Sequence, residues 1–189
     1  MQKFGMPMKL VILDRDGTIN EDSADYIKSA QEWQPLPGAL DAIARLNHAG
    51  WQVVVATNQS GLGRGLFDVA ALNAMHAKMH SMLAAVGGRI DAVFYCPHGP
   101  EESCNCRKPA PGLFEQIAER YGMPLTGMPS AGDSARDLIA AVAVGCEPHA
   151  VLTGKAAQYA NGVLPSTYPD KTIVHADLSA FADFIVARG

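Results

Sequence analysis

The regular alternation of short apolar runs with helix-like segments constrains the fold of this chain more than any other feature. Residues 51–59, WQVVVATNQ, form a β-branched run that is typical of a parallel strand covered on both faces. The preceding segment, 38–49, places Leu40, Ile43 and Leu46 on one helical face and is followed by a glycine. Repetition of this pattern predicts an α/β fold with a doubly wound, mainly parallel, Rossmann-like sheet.

The same signals divide the whole chain into predicted elements. The predicted strands are residues 9–13, 51–59, 90–96, 128–133, 149–154 and 171–176. The predicted helices are residues 38–49, 68–86, 111–122, 134–145 and 176–188. The irregular segments are residues 21–37, 60–67, 97–109 and 155–169. The first three follow strands, so we expect them to lie over the carboxyl edge of the sheet, where ligands bind in this fold class. Without a visible linker, residues 1–189 are expected to form one domain.

Composition excludes several classes of partner. A formal net charge of -4 argues against nucleic acid or an anionic membrane surface as the main partner. No apolar run approaches the roughly 20 residues that a membrane span needs. The first ten residues, MQKFGMPMKL, lack the apolar core of a signal peptide. We therefore expect a cytoplasmic protein, and a monomer, that binds a small molecule.

Polar side chains stand at or just beyond the ends of several predicted strands. A pair of aspartates after a strand is by itself most often a turn or a helix cap. Here, however, the residues that follow strands or precede the next helix include Asp14, Asp16, Thr57, Lys108, Asp133 and Asp137. This combination suits transfer of a phosphoryl group to a carboxylate. Asp14, Asp133 and the backbone carbonyl of Asp16 can ligate Mg²⁺.

The remaining residues of this set fit the other requirements of the same reaction. Lys108 and Thr57 can hold the phosphate oxygens, the lysine as a positive charge. Asp16 can protonate the leaving alkoxide and later activate water, because the acid of one half-reaction must be the base of the other. The sequence therefore predicts a phosphatase with a carboxylate nucleophile.

The order of the four motifs DRDGT, TNQ, RKP and GDSARD is similar to that of the haloacid dehalogenase (HAD) superfamily of Mg²⁺-dependent phosphohydrolases. The resemblance implies that Asp14 is the nucleophile and Asp16 the acid and base. It also implies that Asp14, Asp16 and Asp133 form the magnesium site and that Asp137 supports it. Members of this superfamily usually differ in an inserted cap domain. The gaps before residue 38 and before residue 68 are too short for one, so we expect a capless enzyme.

The loop YCPHGPEESCNCRKP carries a second set of candidate ligands. Cys96, His98, Cys104 and Cys106 follow the pattern C-x-H-x5-C-x-C, which matches a tetrahedral structural zinc site. The alternative is a set of unrelated cysteines, but exposed thiols would then stand in a reducing compartment. Because this loop ends on Arg107 and Lys108, a bound zinc would fix two cations at the active site. Cys146 is expected to be a small core residue.

This loop, together with DRDGTIN and TNQSGLGRG, resembles the D,D-heptose 1,7-bisphosphate phosphatases and the related histidinol-phosphate phosphatases over nearly the whole chain. The resemblance implies removal of the 7-phosphate on the route to nucleotide-activated heptose for lipopolysaccharide or surface glycans. By position, it implies substrate contacts from Asp22, Ser23, Ala24, Asp25, Thr57, Asn58, Gln59, Ser60, Arg107, Lys108 and Ser134. A lysine often occupies the position of Ser134 in this family, so one phosphate contact differs here.

Several other functions are compatible with parts of the sequence. Histidinol phosphate is the alternative substrate, but Arg107 favours a bisphosphate because a second anion needs a second cation. A nucleic-acid 3′-phosphatase shares the motifs, yet no basic segment with stacking aromatics is evident. A zinc-stabilised adaptor without activity would not need a nucleophile beside a metal site. His76 and His80, among buried-type methionines, are expected to flank a packed helix face.

Overall fold

The computed structural model describes residues 8–189 as one six-stranded sheet with helices around it. Its strands are β1 (Leu10–Leu13), β2 (Gln52–Asn58), β3 (Ala92–Cys96), β4 (Pro129–Gly132), β5 (Glu147–Val151) and β6 (Ile173–His175). Its α-helices are α1 (Ala39–His48), α2 (Ser60–Gly63), α3 (Val69–Ala85), α4 (Gly112–Tyr121), α5 (Ala135–Ala143) and α6 (Leu178–Arg188). A 3₁₀ helix spans Gly154–Tyr159. Most of the segment used to argue against a signal peptide, residues 1–7, lies outside the described residues.

The sheet has the order β3-β2-β1-β4-β5-β6, and every neighbouring pair is parallel. The chain therefore starts in the middle of the sheet, adds strands toward one edge, and then returns to add strands toward the other. This arrangement confirms the predicted doubly wound, parallel fold. The order reverses between β1 and β4, and in such sheets the crevice at the carboxyl ends of those two strands is the usual ligand site.

Apolar packing on both faces explains why the central strands are unbroken apolar runs. Val11 and Leu13 of β1 belong to a core that includes residues of α1, α3 and α6. Leu10 and Ile12 point to a second core, which includes residues of α4. Side chains of a strand alternate between faces, so a strand buried on both sides needs an apolar residue at each position. Cys146 is buried in the second core, as predicted.

Three local features differ from the predicted elements. The short helix α2 and the 3₁₀ helix lie in segments for which no regular structure was predicted. Strand β5 begins and ends earlier than predicted, at Glu147 and Val151. Its proline, Pro148, is tolerated because the backbone N–H of Glu147 bonds to the carbonyl of Met128, just before β4, whereas the pairing with β6 starts only at His149.

No inserted cap is present within residues 8–189. The segment between β1 and α1 contains two isolated bridges, Asp16–Asn20 and Asn20–Pro35, and no helix or strand. The segment between β2 and α3 contains only the four-residue helix α2. Both observations agree with the predicted capless architecture. Among the described helices, none combines the length and the apolarity that crossing a membrane would require.

Candidate active site

Three aspartates meet where the strand order of the sheet reverses. Asp14 follows β1 directly, and its backbone N–H donates to the carbonyl of Ala131 in β4 at 2.9 Å. Asp133 follows β4, and Asp137 lies in the first turn of α5. One carboxylate oxygen of each residue lies within 4.8 Å of the others. These residues, Asp14, Asp133 and Asp137, are called the carboxylate cluster below.

Lys108 reaches into this cluster from the loop before α4. Its side chain is only 2% exposed. The ammonium group lies 2.8 Å from Asp14 Oδ1 and 2.6 Å from Asp137 Oδ1, and it donates to the carbonyl of Ala56 at 2.7 Å. Three acceptors around one ammonium use all of its protons. Lys108 therefore places a fixed positive charge beside Asp14.

The loop after β5 closes around Asp133. The backbone N–H of Lys155 donates to Asp133 Oδ2 at 2.7 Å, and the Thr153 hydroxyl donates to the carbonyl of Gly17 at 2.6 Å. Gly17 and Gly154 have positive φ values of 81° and 48°. A Cβ at either glycine would collide with the carboxylate of Asp133. Both glycines are needed for their backbone conformation and for this close approach.

The charges within the carboxylate cluster are not balanced by the protein. Burial raises the pKa of Asp133 to about 8, and the nearby Asp137 and Asp14 contribute in the same direction. Burial and Asp137 also raise the pKa of Asp14, to about 6, although Lys108 opposes the shift. Such crowding is unfavourable unless a cation offsets it, and oxygen-only donors are the ligands that Mg²⁺ prefers. The donor set therefore fits a hard divalent ion.

The carboxyl group of Asp16 stands apart from the cluster and has its own partners. Asn20 Nδ2 donates to its Oδ1 at 2.9 Å, Gln59 Nε2 donates to its Oδ2 at 2.8 Å, and Arg15 donates to both oxygens. Burial alone would raise the pKa of Asp16, but Arg15 and these hydrogen bonds hold it below its ordinary value. Asp14 and Asp16 therefore occupy different electrostatic environments although one residue separates them.

The residues at the end of β2 and directly after it are linked to Asp16 and to the backbone of Lys108. The hydroxyl oxygen of Thr57 accepts a hydrogen bond from Gln59 at 2.9 Å, which leaves its proton free to be donated elsewhere. Asn58 forms two hydrogen bonds of 3.0 Å with the backbone N–H and carbonyl of Lys108. Thr57 therefore has a donor to spare for a ligand, whereas Asn58 fixes the backbone that carries Lys108.

The cleft above these groups contains most of the predicted substrate contacts. It is lined by Asp14, Asp16, Asp22, Ser23, Ala24, Thr57, Asn58, Gln59, Ser60, Arg107 and Lys108, among others. Asp25 and Ser134 are not among the residues that line it. The Ser134 hydroxyl instead donates to Asp137 Oδ2 at 2.5 Å, within the capping box of α5. In this structure, Asp25 and Ser134 are therefore not placed to contact a substrate in the cleft.

The four predicted zinc ligands converge at the end of β3. One side-chain donor atom of each of Cys96, His98, Cys104 and Cys106 lies within 4.8 Å of the others. Burial opposes ionisation of Cys104, but the backbone N–H of Arg107 and the neighbouring thiols lower its pKa to about 7. Three thiols and one imidazole are the donor set of a structural zinc site. These four residues are called the Cys–His cluster below.

Comparison with known proteins agrees with this geometry. A family model described as polynucleotide kinase 3 phosphatase matches residues 9–135, and one described as HAD-hydrolase-like matches residues 105–179. A D-glycero-beta-D-manno-heptose-1,7-bisphosphate 7-phosphatase from Bordetella bronchiseptica is 56% identical over 177 residues, which cover 93% of this chain and 97% of that protein. The chain belongs to the heptose-1,7-bisphosphate 7-phosphatase family of HAD-like hydrolases.

Two further matches from this family span nearly the whole chain. The Pseudomonas aeruginosa protein of the same name is 50% identical over 181 residues, which cover 96% of this chain and 99% of that protein. The crystal structure of the B. bronchiseptica D,D-heptose 1,7-bisphosphate phosphatase, complexed with magnesium and phosphate, superposes with a TM-score of 0.91 at 54% identity. It covers 96% of this chain and 100% of that chain. The protein is accordingly a phosphoric monoester hydrolase.

Some residues of this heptose phosphatase site were missed by the sequence analysis. Arg136 and Lys155 line the cleft on the side of β4 and β5, opposite Arg107. Lys155 forms an ion pair with Asp22, and the Nε of Arg136 is buried without a hydrogen-bond partner. Arg136 could have been noticed inside the motif GDSARD. Lys155 carried no such signal, because it contacts Asp133 through its backbone N–H, which any residue type could supply.

Proposed function

We propose that this protein removes the 7-phosphate of D-glycero-D-manno-heptose 1,7-bisphosphate, the β anomer being the one for which its curated relatives are named. The observation that carries the proposal is the difference in surroundings between two aspartates that stand two positions apart. Asp14 lies beside Lys108 in the carboxylate cluster, whereas Asp16 has a separate set of donors. The product would enter the synthesis of nucleotide-activated heptose for lipopolysaccharide or surface glycans.

In the first half of the reaction, Asp14 attacks phosphorus and the phosphoryl group becomes an aspartyl-phosphate. Lys108, already 2.8 Å from Asp14, offers positive charge to the non-bridging oxygens of the phosphate. The free proton of the Thr57 hydroxyl provides a further hydrogen bond to them. Asp16 transfers its proton to the departing sugar oxygen, so the alcohol leaves in neutral form.

In the second half, Asp16 accepts a proton from water as its oxygen attacks phosphorus. The bond between phosphorus and the Asp14 oxygen breaks, which releases inorganic phosphate and regenerates the Asp14 carboxylate. The lowered pKa of Asp16 keeps its carboxyl group ionised in the free enzyme, which is the form that this half-reaction uses. The first half needs the protonated form. A phosphate dianion close to Asp16 raises the pKa of the carboxyl group, because like charges disfavour ionisation. Substrate binding itself therefore favours the protonated form of Asp16, which the first half-reaction needs.

Two metal ions complete the proposal. Asp14, Asp133 and the backbone carbonyl of Asp16 would hold Mg²⁺. Asp137, which pairs with Lys108, would support this site from beside the ligands. When bound, Mg²⁺ supplies positive charge that offsets repulsion between the carboxylate nucleophile and the phosphate. The Cys–His cluster would hold a structural Zn²⁺, with three thiols and one imidazole as the ligands.

The remote phosphate of the bisphosphate is assigned to Arg107. Arg107 lines the cleft, and its Nη1 donates to the carbonyl of His98 at 3.1 Å, so the backbone of the Cys–His loop holds the side chain. Its planar group can contact a phosphate through two parallel hydrogen bonds. Histidinol phosphate carries no second phosphate and would leave Arg107 without this partner.

A nucleic acid is the alternative substrate to consider, because one matching family model is described as polynucleotide kinase 3 phosphatase. The cleft does not favour it. Asp22 stands at its rim beside Lys155, and the chain carries a net charge of -4, whereas nucleic-acid sites are strongly basic.

The proposal is tested by ³¹P NMR with heptose 1,7-bisphosphate as substrate. The expected result is loss of the 7-phosphate resonance, growth of inorganic phosphate, and retention of the 1-phosphate resonance. Histidinol phosphate and a 3′-phosphorylated oligonucleotide serve as parallel substrates and should react with a much lower kcat/KM. Release of the 1-phosphate, or a higher kcat/KM for either parallel substrate, would contradict the proposal.

A further inference from the structure

Arg15 lies between the two catalytic aspartates in sequence but is completely buried, with 0% of its surface exposed. Its side chain does not line the cleft. Nε and Nη2 donate to Asp16 at distances of 2.8–3.0 Å, and Nη2 also donates to Gln59 Oε1 at 3.1 Å. A buried guanidinium group needs an acceptor in every direction in which it carries protons. These contacts account for only one side of the group.

The other side of Arg15 faces His76 on helix α3. Arg15 Nη1 lies 3.3 Å from His76 Nε2. Met75 and Met79, on the same helix, are fully buried and hold this stretch of α3 against the sheet. His76 is not among the residues that line the cleft, and its contact toward the site is with Arg15.

Neutral imidazole is the form that can accept a hydrogen bond from a guanidinium group. Burial and then Arg15 lower the pKa of His76 to about 4, with His80 contributing in the same direction and Asp16 opposing. At neutral pH, His76 therefore carries its single proton on Nδ1 when Nε2 accepts from Arg15. The contact between Arg15 and His76 is then a charge-assisted hydrogen bond rather than a repulsive pair.

We propose that His76 is a positioning residue that holds the guanidinium group of Arg15 and, through it, the carboxyl group of Asp16. Without His76, Nη1 of Arg15 would be buried without an acceptor, and the guanidinium group would turn to find another one. This rotation would break the paired contact with Asp16, which would then be misplaced for proton transfer. The inference depends on the proposed acid and base role of Asp16.

The test uses the dependence of the reaction on the leaving group. Phosphoryl transfer from heptose 1,7-bisphosphate needs a proton for the departing sugar oxygen, whereas p-nitrophenolate leaves readily without one. His76→Met replaces the imidazole acceptor with a thioether, which accepts only weakly, and introduces an apolar side chain that suits this helix face. It should lower kcat/KM for the heptose substrate roughly tenfold, a fraction of the 10²–10⁴-fold typical of general acid catalysis. The value for p-nitrophenyl phosphate should change less than about twofold.

Two other variants separate positioning from a general effect on the fold. His76→Gln retains an acceptor in the side chain and should restore most of the heptose activity. His80→Gln, one helical turn further on an exposed position, should leave both substrates unaffected. Thermal unfolding is measured for all variants, and His76→Ala replaces His76→Met if the latter does not fold. An equal loss for the two substrates, or no recovery in His76→Gln, would overturn the inference.

Asp16→Asn, measured beside these variants, separates this inference from the proposed function. If Asp16→Asn fails to discriminate between the two leaving groups, the acid role of Asp16 is wrong. If Asp16→Asn discriminates and His76→Met does not, the role of Asp16 stands and only the inference about His76 fails.

Discussion

The carboxylate cluster and the Cys–His cluster differ in how the chain builds them. The Cys–His cluster comes from one loop, with all four side chains between Cys96 and Cys106. The carboxylate cluster joins Asp14, at the start of the chain, to Asp133 and Asp137 far along it. The first needs only a loop that folds back on itself, whereas the second needs the complete sheet order, with β1 beside β4. The Cys–His cluster can therefore stabilise its own loop, whereas the carboxylate cluster forms only when the sheet is complete.

The clusters also differ in their contact with the cleft. None of the four Cys–His residues lines it, whereas Asp14 and Asp137 do. The Cys–His cluster reaches the site only through the backbone, because Arg107 and Lys108 directly follow Cys106. Changes in the carboxylate cluster should therefore abolish chemistry, and changes in the Cys–His cluster should mainly reduce stability.

The largest effect is expected for Asp14→Asn, because an amide cannot attack phosphorus and binds Mg²⁺ poorly. Turnover of heptose 1,7-bisphosphate should be abolished while the circular dichroism spectrum and the melting temperature stay close to those of the wild type. Asp41→Asn, an exposed aspartate on α1, provides the control and should retain full activity. A rate within about tenfold of the wild type would rule out Asp14 as the nucleophile.

Asp16→Asn should be the next most damaging change, because it removes the group that protonates the leaving oxygen. We expect kcat to fall about 10²–10⁴-fold, the usual contribution of a general acid. The fall should be much smaller for p-nitrophenyl phosphate in a single-turnover measurement of phosphoryl transfer. A variant that forms the aspartyl-phosphate at the wild-type rate from the heptose substrate would contradict this role.

Arg107→Ala should separate substrates rather than stop the reaction. Loss of a charge-assisted contact to the remote phosphate should cost about 1.5–3 kcal/mol, or roughly 10–100-fold in kcat/KM, for the bisphosphate. The effect on p-nitrophenyl phosphate should be small. Arg136→Ala, from the opposite wall, is the matched variant and should discriminate less between the substrates. If Arg136→Ala discriminates more, the remote phosphate lies on that wall. If Arg107→Ala slows both substrates by the same factor, Arg107 serves the transferring phosphate instead.

Cys106→Ser should have the smallest effect on chemistry and act mainly on stability. We expect zinc below one atom per chain by mass spectrometry and a lower melting temperature, because metal binding and folding of such a loop are coupled. Cys146→Ala changes a cysteine of the apolar core and should retain the zinc. Undiminished zinc content in Cys106→Ser, or zinc absent from the native protein, would remove the Cys–His cluster as a metal site.

The contrast between the clusters also explains how far the sequence could be interpreted. The spacing of Cys96, His98, Cys104 and Cys106 predicts a local site without knowledge of the fold. Asp14 and Asp133 could be brought together only because the residues ahead of each predicted parallel strands whose carboxyl ends share one edge of the sheet. The prediction of the Cys–His cluster depends on residue spacing, and that of the carboxylate cluster on strand patterns. Both signals are contained in short stretches of sequence.

Contacts between side chains from distant elements could not be predicted in this way. Neither the burial of Arg15 nor its partner His76 follows from a pattern, because the contact depends on how α3 packs against the sheet. Lys155 reaches Asp133 through its backbone N–H, a property that any residue type could supply. Sequence patterns therefore predicted the candidate reacting groups, whereas contacts between side chains of distant elements required the three-dimensional arrangement.

The proposed assignment of chemistry to the carboxylate cluster and of stability to the Cys–His cluster is tested most directly by a magnesium titration in which zinc content is followed in parallel. Magnesium-free enzyme is titrated with Mg²⁺ while hydrolysis of heptose 1,7-bisphosphate and the zinc content per chain are measured together. We predict no turnover before the addition, a saturable rise with Mg²⁺, and a constant zinc content near one atom per chain. Full turnover without magnesium, or a rate that follows zinc content instead, would contradict the assignment of chemistry to the carboxylate cluster.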